Sequence, residues 1–107
     1  MLNLGLIQLD IIDGDWIKNR EHALHAMRAL VEQGATVLVP PEIWHSFQLS
    51  RREALADFSD ETRGLFAQFA RDHAVTLVSC QVERDGAHFY NTAFVWDESG
   101  REIAAVS

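Results

Sequence analysis

Two short apolar runs, set one helix apart, constrain this chain more than any other feature. Leu4 to Leu9 reads as a buried strand and closes in a turn cluster, Asp10 to Asp15. From Trp16 to Gln33 the apolar residues Ile17, Leu24, Met27, Leu30 and Val31 recur at helical spacing and fall on one face. Asp15 stands where an N-cap is needed, and Gly34 supplies a left-handed stop. Thr36 to Val39 is the second apolar strand. Strands joined by a helix at this distance pair in parallel, as a βαβ unit.

The rest of the chain continues in the same class. Ser50 to Phe58 has the composition of one or two helical turns. Ser59-Asp60-Glu61 offers caps and a negative first turn for a clearer second helix, with Leu65, Phe66, Phe69 and Ala70 as its apolar face. That helix is expected to end near His73, with Ala74 where glycine is the usual stop. Val75 to Val82 is β-branched and apolar on both parities, the pattern of a strand buried on both faces. Asp85-Gly86 signals a hairpin leading into a strand from His88 to Trp96. Asp97 to Gly100 turns the chain again, and Arg101 to Val106 begins another strand. The order βαβ, helix, β-meander is an α/β fold.

Composition narrows the function. With 107 residues the chain makes one domain or part of one, and 48% hydrophobic against 23% charged residues is a globular balance. A net charge of −7, with basic residues scattered apart from Arg51-Arg52, argues against a nucleic-acid partner, which needs clustered cations. The apolar start is interrupted by Asn3 and Gln8 and is too short for a signal core or a membrane span. The single cysteine, Cys80, allows no intrachain disulfide, so a cytoplasmic protein is expected.

Pro40-Pro41-Glu42-Ile43-Trp44 carries the strongest chemical signal. It places a carboxylate where a strand leaves the sheet, the position at which open α/β sheets build ligand sites. The two prolines stiffen the exit and remove two backbone donors. Trp44 and Phe47 can wall Glu42 from water, and partial desolvation moves a carboxyl pKa toward neutrality, as a general base requires. His45 is a candidate pocket residue beside it, and Tyr90-Asn91 is a candidate supporting pair at the start of a strand. Cys80 sits mid-strand between Val78 and Val82 with no basic neighbour, which reads as packing. His22 and His25 lie opposite the apolar helix face and read as solvated, and His88 reads as a strand start. Trp96 and Phe94 share a face with Thr92 and read as core or interface rather than ligand pocket.

Leu6-Ile7-Gln8-Leu9-Asp10, Gly14-Asp15 with Asn19, Gly34-Ala35, Pro41-Glu42-Ile43-Trp44 and Tyr90-Asn91-Thr92-Ala93-Phe94 occur in this order. The sequence thereby resembles the N-terminal part of the nitrilase superfamily, the carbon–nitrogen hydrolases, from about residue 4 onward. The resemblance implies an α/β/β/α sandwich, of which residues 1–107 are the N-terminal portion, and a Glu-Lys-Cys catalytic set. It maps the Glu onto Glu42. The Lys is implied shortly after the strand that begins at Arg101, and the nucleophilic Cys further on. Lys18, the only lysine, and Cys80 match neither position. Pro40 replaces the aliphatic residue usual in the family before Pro-Glu.

The implied reaction is cleavage of a small amide, nitrile or carbamoyl substrate to acid and ammonia through a thioester, without metal or organic cofactor. By analogy the protein is expected to form homo-oligomers, and the 107 residues alone are expected to be inactive. The competing expectation is a non-catalytic α/β module that binds a partner or assembles with itself through exposed apolar strand surface. A nucleotide-binding domain is disfavoured, because Asp13-Gly14-Asp15 is acidic and no glycine-rich phosphate loop follows the first strand.

Overall fold

In a computed structural model, residues 2–8, 15–41 and 51–107 are described. Among them five strands form one sheet: β1 (Leu4–Leu6), β2 (Val37–Val39), β3 (Thr76–Asp85), β4 (His88–Trp96) and β5 (Glu102–Val106), in the spatial order β1-β2-β3-β4-β5. β1, β2 and β3 pair in parallel, whereas β3–β4 and β4–β5 are antiparallel. The two parallel connections carry α1 (Trp16–Glu32) and α2 (Arg52–His73). Met27 of α1 and Phe66, Phe69 and Ala70 of α2 join one core cluster with Leu38, Leu77, Phe94 and Trp96. Both helices therefore lie on one face of the sheet, as two successive right-handed crossovers in one direction require.

α1 follows the expectation closely. Asp15 Oδ1 accepts from the backbone N–H of Lys18 at 3.1 Å. At the other end Gly34 takes φ +96°, its N–H bonds Val31 O at 2.9 Å, and Ala35 N–H bonds Leu30 O at 3.0 Å, a complete Schellman closure. The buried residues of α1 are Trp16, Asn19, Arg20, Ala23 and Met27, whereas Ile17 is 58% exposed. The packed stripe is thus rotated from the expected one: Asn19 and Arg20 belong to it because they bond instead of facing water. Close packing of the helix is visible at Gly5, where a Cβ would lie 2.9 Å from Leu38 Cδ2 and 3.1 Å from Leu30 Cδ1.

α2 corrects the expected division. It runs unbroken from Arg52 to His73, so Ser59-Asp60-Glu61 is mid-helix and not a cap. Ser59 is fully buried, and its Oγ accepts from Val82 N–H at 3.2 Å. That bond satisfies β3 beyond the two residues that pair with β2, and it explains a polar residue that imitates a helix start. Leu65 is 39% exposed and falls outside the buried stripe. The helix stops at His73 as expected, with Ala74 at φ 52° and ψ 49° in the left-handed region. The strain is borne because Val75 N–H closes on Ala70 O at 3.0 Å and both side chains enter the core.

The hairpin forms at the expected place, with Gly86 (φ +61°) and Ala87 joining Asp85 to His88. The strand registers divide the sheet into two faces. Gly5, Leu38, Leu77 and Trp96 point to the helices, and Leu4, Leu6, Val37, Val39, Val78 and Val95 point away. Leu4 is 58% and Leu6 69% exposed, and the four valines are half-buried. Two expectations are corrected here. β1 spans only Leu4–Leu6 and is not buried, and in β3 the second parity is only half-buried from Thr76 to Cys80, with Val82 buried against Trp16, Leu55 and Ala56. Apolar residues of both parities are present, and from Leu4 to Val78 and at Val95 those of the second parity are exposed or half-buried.

Candidate active site

β5 runs parallel to β1, β2 and β3, so all four strands deliver the chain to the same end of the sheet. β2 stops pairing at this end because Pro40 and Pro41 have no N–H to donate. Pro40 is buried and Pro41 half-buried, which anchors the exit. Glu42, Trp44 and His45, the expected base and its neighbours, follow directly and lie outside the described residues, as does Phe47.

Tyr90 and Asn91 are described, and they do not act as a pair. Tyr90 stands opposite Glu83, is 41% exposed and has its ring centroid 6.2 Å from that of His88. Asn91 stands opposite Val82, is exposed and points to the other face. The buried member of the motif is Thr92, only 1% exposed. Its Oγ1 donates to Glu83 Oε1 at 3.2 Å and lies 3.2 Å from Ser107 Oγ at the end of β5. Opposite Thr92, Gln81 is 1% exposed and its Nε2 donates to Ser79 Oγ at 2.8 Å. Ser79, Gln81 and Thr92 thus form a buried polar row on the strand parity that elsewhere carries Leu77, Phe94 and Trp96.

A second set of contacts ties the helix starts together. Arg20, buried in α1, donates to Glu61 Oε1 at 2.8 Å and to Thr62 Oγ1 at 3.1 Å, and its guanidinium lies 4.7 Å from the Phe58 ring centroid. Trp16 packs against Phe58 at 5.8 Å and lies under Arg51 at 4.6 Å. Neither the polar row nor this clamp was legible in advance, since each joins residues far apart in sequence. The only local signal was polar residues inside apolar strand and helix patterns.

The remaining candidates are spread over several elements. Lys18 is exposed on the first turn of α1. Cys80 is half-buried on the face away from the helices, so its packing role is at the open face and not in the core. His22, His25 and His88 are exposed, and His73 stacks on Phe69 at 4.2 Å. Among the described residues no three His, Cys, Asp or Glu side chains converge. Two shallow concavities, lined by Gly64, Ala67, Gln68, Arg71 and Gly100 and by Asn3, Leu4, Gly5, Leu30, Gln33 and Ala35, sit at the opposite end of the sheet. Asp97, in the β4–β5 turn, has its pKa lowered from 3.8, chiefly by the Ser99 side-chain hydrogen bond and then by the Arg101 backbone N–H. It too is remote from the exits of β2 and β5. No helix among the described residues is long and apolar enough to cross a membrane.

The family model for carbon-nitrogen hydrolases matches residues 3–106. The chain belongs to that family. Within the nitrilase superfamily it is 30% identical, over 92% of its length, to an omega-amidase, chloroplastic, from Arabidopsis thaliana, of which it spans 28%. A carbon-nitrogen hydrolase from Helicobacter pylori G27 superposes with a TM-score of 0.85 at 20% identity, over 97% of this chain and 38% of that one. An amidase from Nesterenkonia sp. superposes with a TM-score of 0.82 at 26% identity, over 97% and 41%. A double mutant of that amidase, with a glutamate changed to glutamine and a cysteine to alanine, has been seen in complex with acrylamide. The chain spans less than half of each of these relatives. Its sheet and helix layer match part of the carbon-nitrogen hydrolase fold.

Proposed function

We propose that these 107 residues are the N-terminal portion of a single hydrolase domain that cleaves a small carboxamide to a carboxylic acid and ammonia. Glu42 acts as general base, and a Lys and a nucleophilic Cys come from sequence beyond Ser107. The observation that carries this reading is the family match across residues 3–106, which includes the Pro41-Glu42 motif just after β2, where open α/β sheets build ligand sites.

In the reaction, Glu42 takes the thiol proton and the sulfur adds to the amide carbon. The Lys stabilises the oxyanion, ammonia leaves with the proton returned by Glu42, and a thioester remains. Glu42 then deprotonates water, which adds to the thioester carbon and expels the thiolate, releasing the acid. An amide is favoured over a nitrile or carbamoyl group by the amidase relatives and by the acrylamide complex of one of them. Trp44 and His45 are assigned to the pocket wall. Tyr90 and Asn91 are assigned to backbone support, and their opposed directions leave at most one of them facing substrate. Homo-oligomerisation and a cytoplasmic setting complete the reading, although the Arabidopsis relative is named as chloroplastic.

The 107-residue chain alone is expected to release no ammonia, because Lys18, its only lysine, and Cys80, its only cysteine, match neither family position. In the full-length protein Glu42→Gln is expected to abolish ammonia release from acrylamide while leaving the thermal transition unchanged. Full activity of that variant removes Glu42 from the mechanism. The alternative of a non-catalytic assembly module draws on the uncovered apolar sheet face. It requires the full-length protein to turn over no amide at all.

A further inference from the structure

The buried polar row has no explanation in packing. Ser79, Gln81 and Thr92 occupy core positions on a parity where Leu77, Phe94 and Trp96 pack as apolar residues. A valine in place of Thr92 has nearly the same shape and leaves no hydroxyl to desolvate. What the hydroxyl adds is a directed connection. Thr92 has one proton, and it is given to Glu83 Oε1, so Ser107 Oγ is the donor to Thr92 in the chain Ser107–Thr92–Glu83. The chain runs from the residue after β5 across β4 to β3 and ends on a carboxylate that is itself half-buried. The β4–β5 ladder ends with Val106 opposite Ala93, and Ser107 lies one residue beyond it. The side-chain chain therefore adds a tie at Ser107, the residue that follows β5, which the ladder by itself does not supply.

We propose that Glu83 and Thr92 are positioning residues for the hydrolase reaction, setting through Ser107 the direction in which the chain leaves β5. The proposal rests on the reading above, in which the segment after β5 carries the Lys that meets the oxyanion. Neither residue touches substrate. Their effect falls on the placement of a group that acts in the transition state, so it appears in kcat and not in KM. Rigid strands supported by such hydrogen bonds hold a site within the fraction of an ångström that catalysis needs.

The test uses the full-length enzyme with acrylamide as substrate and compares Thr92→Val, Thr92→Ser, Glu83→Gln and, as a reference, Glu42→Gln. Thr92→Val is expected to lower kcat by about 10- to 100-fold, the order of loss that a misplaced reacting group produces, with KM within about threefold. Thr92→Ser, which keeps the hydroxyl, is expected to restore at least half of the wild-type kcat. Glu83→Gln keeps an acceptor but loses the charge, and is expected to fall between the two. Melting curves accompany each measurement. Should Thr92→Val fail to fold, Glu83→Gln decides, since it preserves shape: a lowered kcat at an unchanged melting temperature supports the proposal, and wild-type kcat overturns it. Wild-type kcat in Thr92→Val, or a loss that Thr92→Ser does not restore, also overturns it. An inactive Glu42→Gln beside a fully active Thr92→Val rejects this proposal alone. A fully active Glu42→Gln rejects the hydrolase reading first, and this proposal with it.

Discussion

The two faces of the sheet are made of similar residues and live in different surroundings. On one, Leu38, Leu77, Phe94 and Trp96 are each at most 2% exposed beneath Met27, Phe66 and Phe69. On the other, Leu4 and Leu6 are 58% and 69% exposed, and Val37, Val39, Val78 and Val95 are half-buried. Apolar side chains on both parities of a strand belong to a sheet that is covered twice. The chain therefore carries apolar residues on both faces while its helices cover one, and it spans 28% to 41% of the length of its relatives.

The sharpest test of that contrast sets one substitution on each face. Phe66→Ala removes a fully buried ring that meets Trp96 edge-on at 6.2 Å, and is expected to cost about 3–5 kcal/mol by chemical denaturation. Leu6→Ala is expected to cost under about 0.5 kcal/mol in residues 1–107, and on the proposed reading about 2–5 kcal/mol in the full-length protein. Equal costs for Leu6→Ala in the two lengths would show that the exposed face is natively wet. A smaller effect concerns the turn that seats α2 on the covered face. Ala74→Gly relieves a left-handed alanine at φ 52° and is expected to stabilise the full-length protein by about 1 kcal/mol, read as a raised denaturation midpoint. An unchanged midpoint would mean that the loss of unfolded-state restriction offsets the relief.

The least effect is at the rim, in the turn from β4 to β5. Asp97 is held below its ordinary 3.8 by the Ser99 hydroxyl and the Arg101 backbone N–H. A carboxyl with a depressed folded pKa contributes stability that is fully present above the unfolded value and is lost as pH falls through the folded one. Relative to Asp97→Asn, the wild type is expected to lose its advantage only below pH 3.8, and a constant difference down to lower pH would contradict the assignment.

Local pattern alone determined much of this protein. Asp15 and Gly34 bound α1, Gly86 set the hairpin, and the motifs from Leu6 to Phe94 identified the family and hence the sandwich. Those signals are legible because a cap, a positive φ or a short motif acts on its immediate neighbours. Where the cues competed, long-range packing decided. Ser59 looks like a helix start and is instead the buried partner of Val82. Ile17 keeps the helical period yet faces water, because Arg20 reaches forty-one residues ahead to Glu61 and claims the packed stripe. The polar row of Ser79, Gln81 and Thr92 exists only once β3 and β4 are in register, and its link to Ser107 only once β5 is added. A hydroxyl's partner across strands depends on which strands are neighbours, and that is a property of the folded sheet.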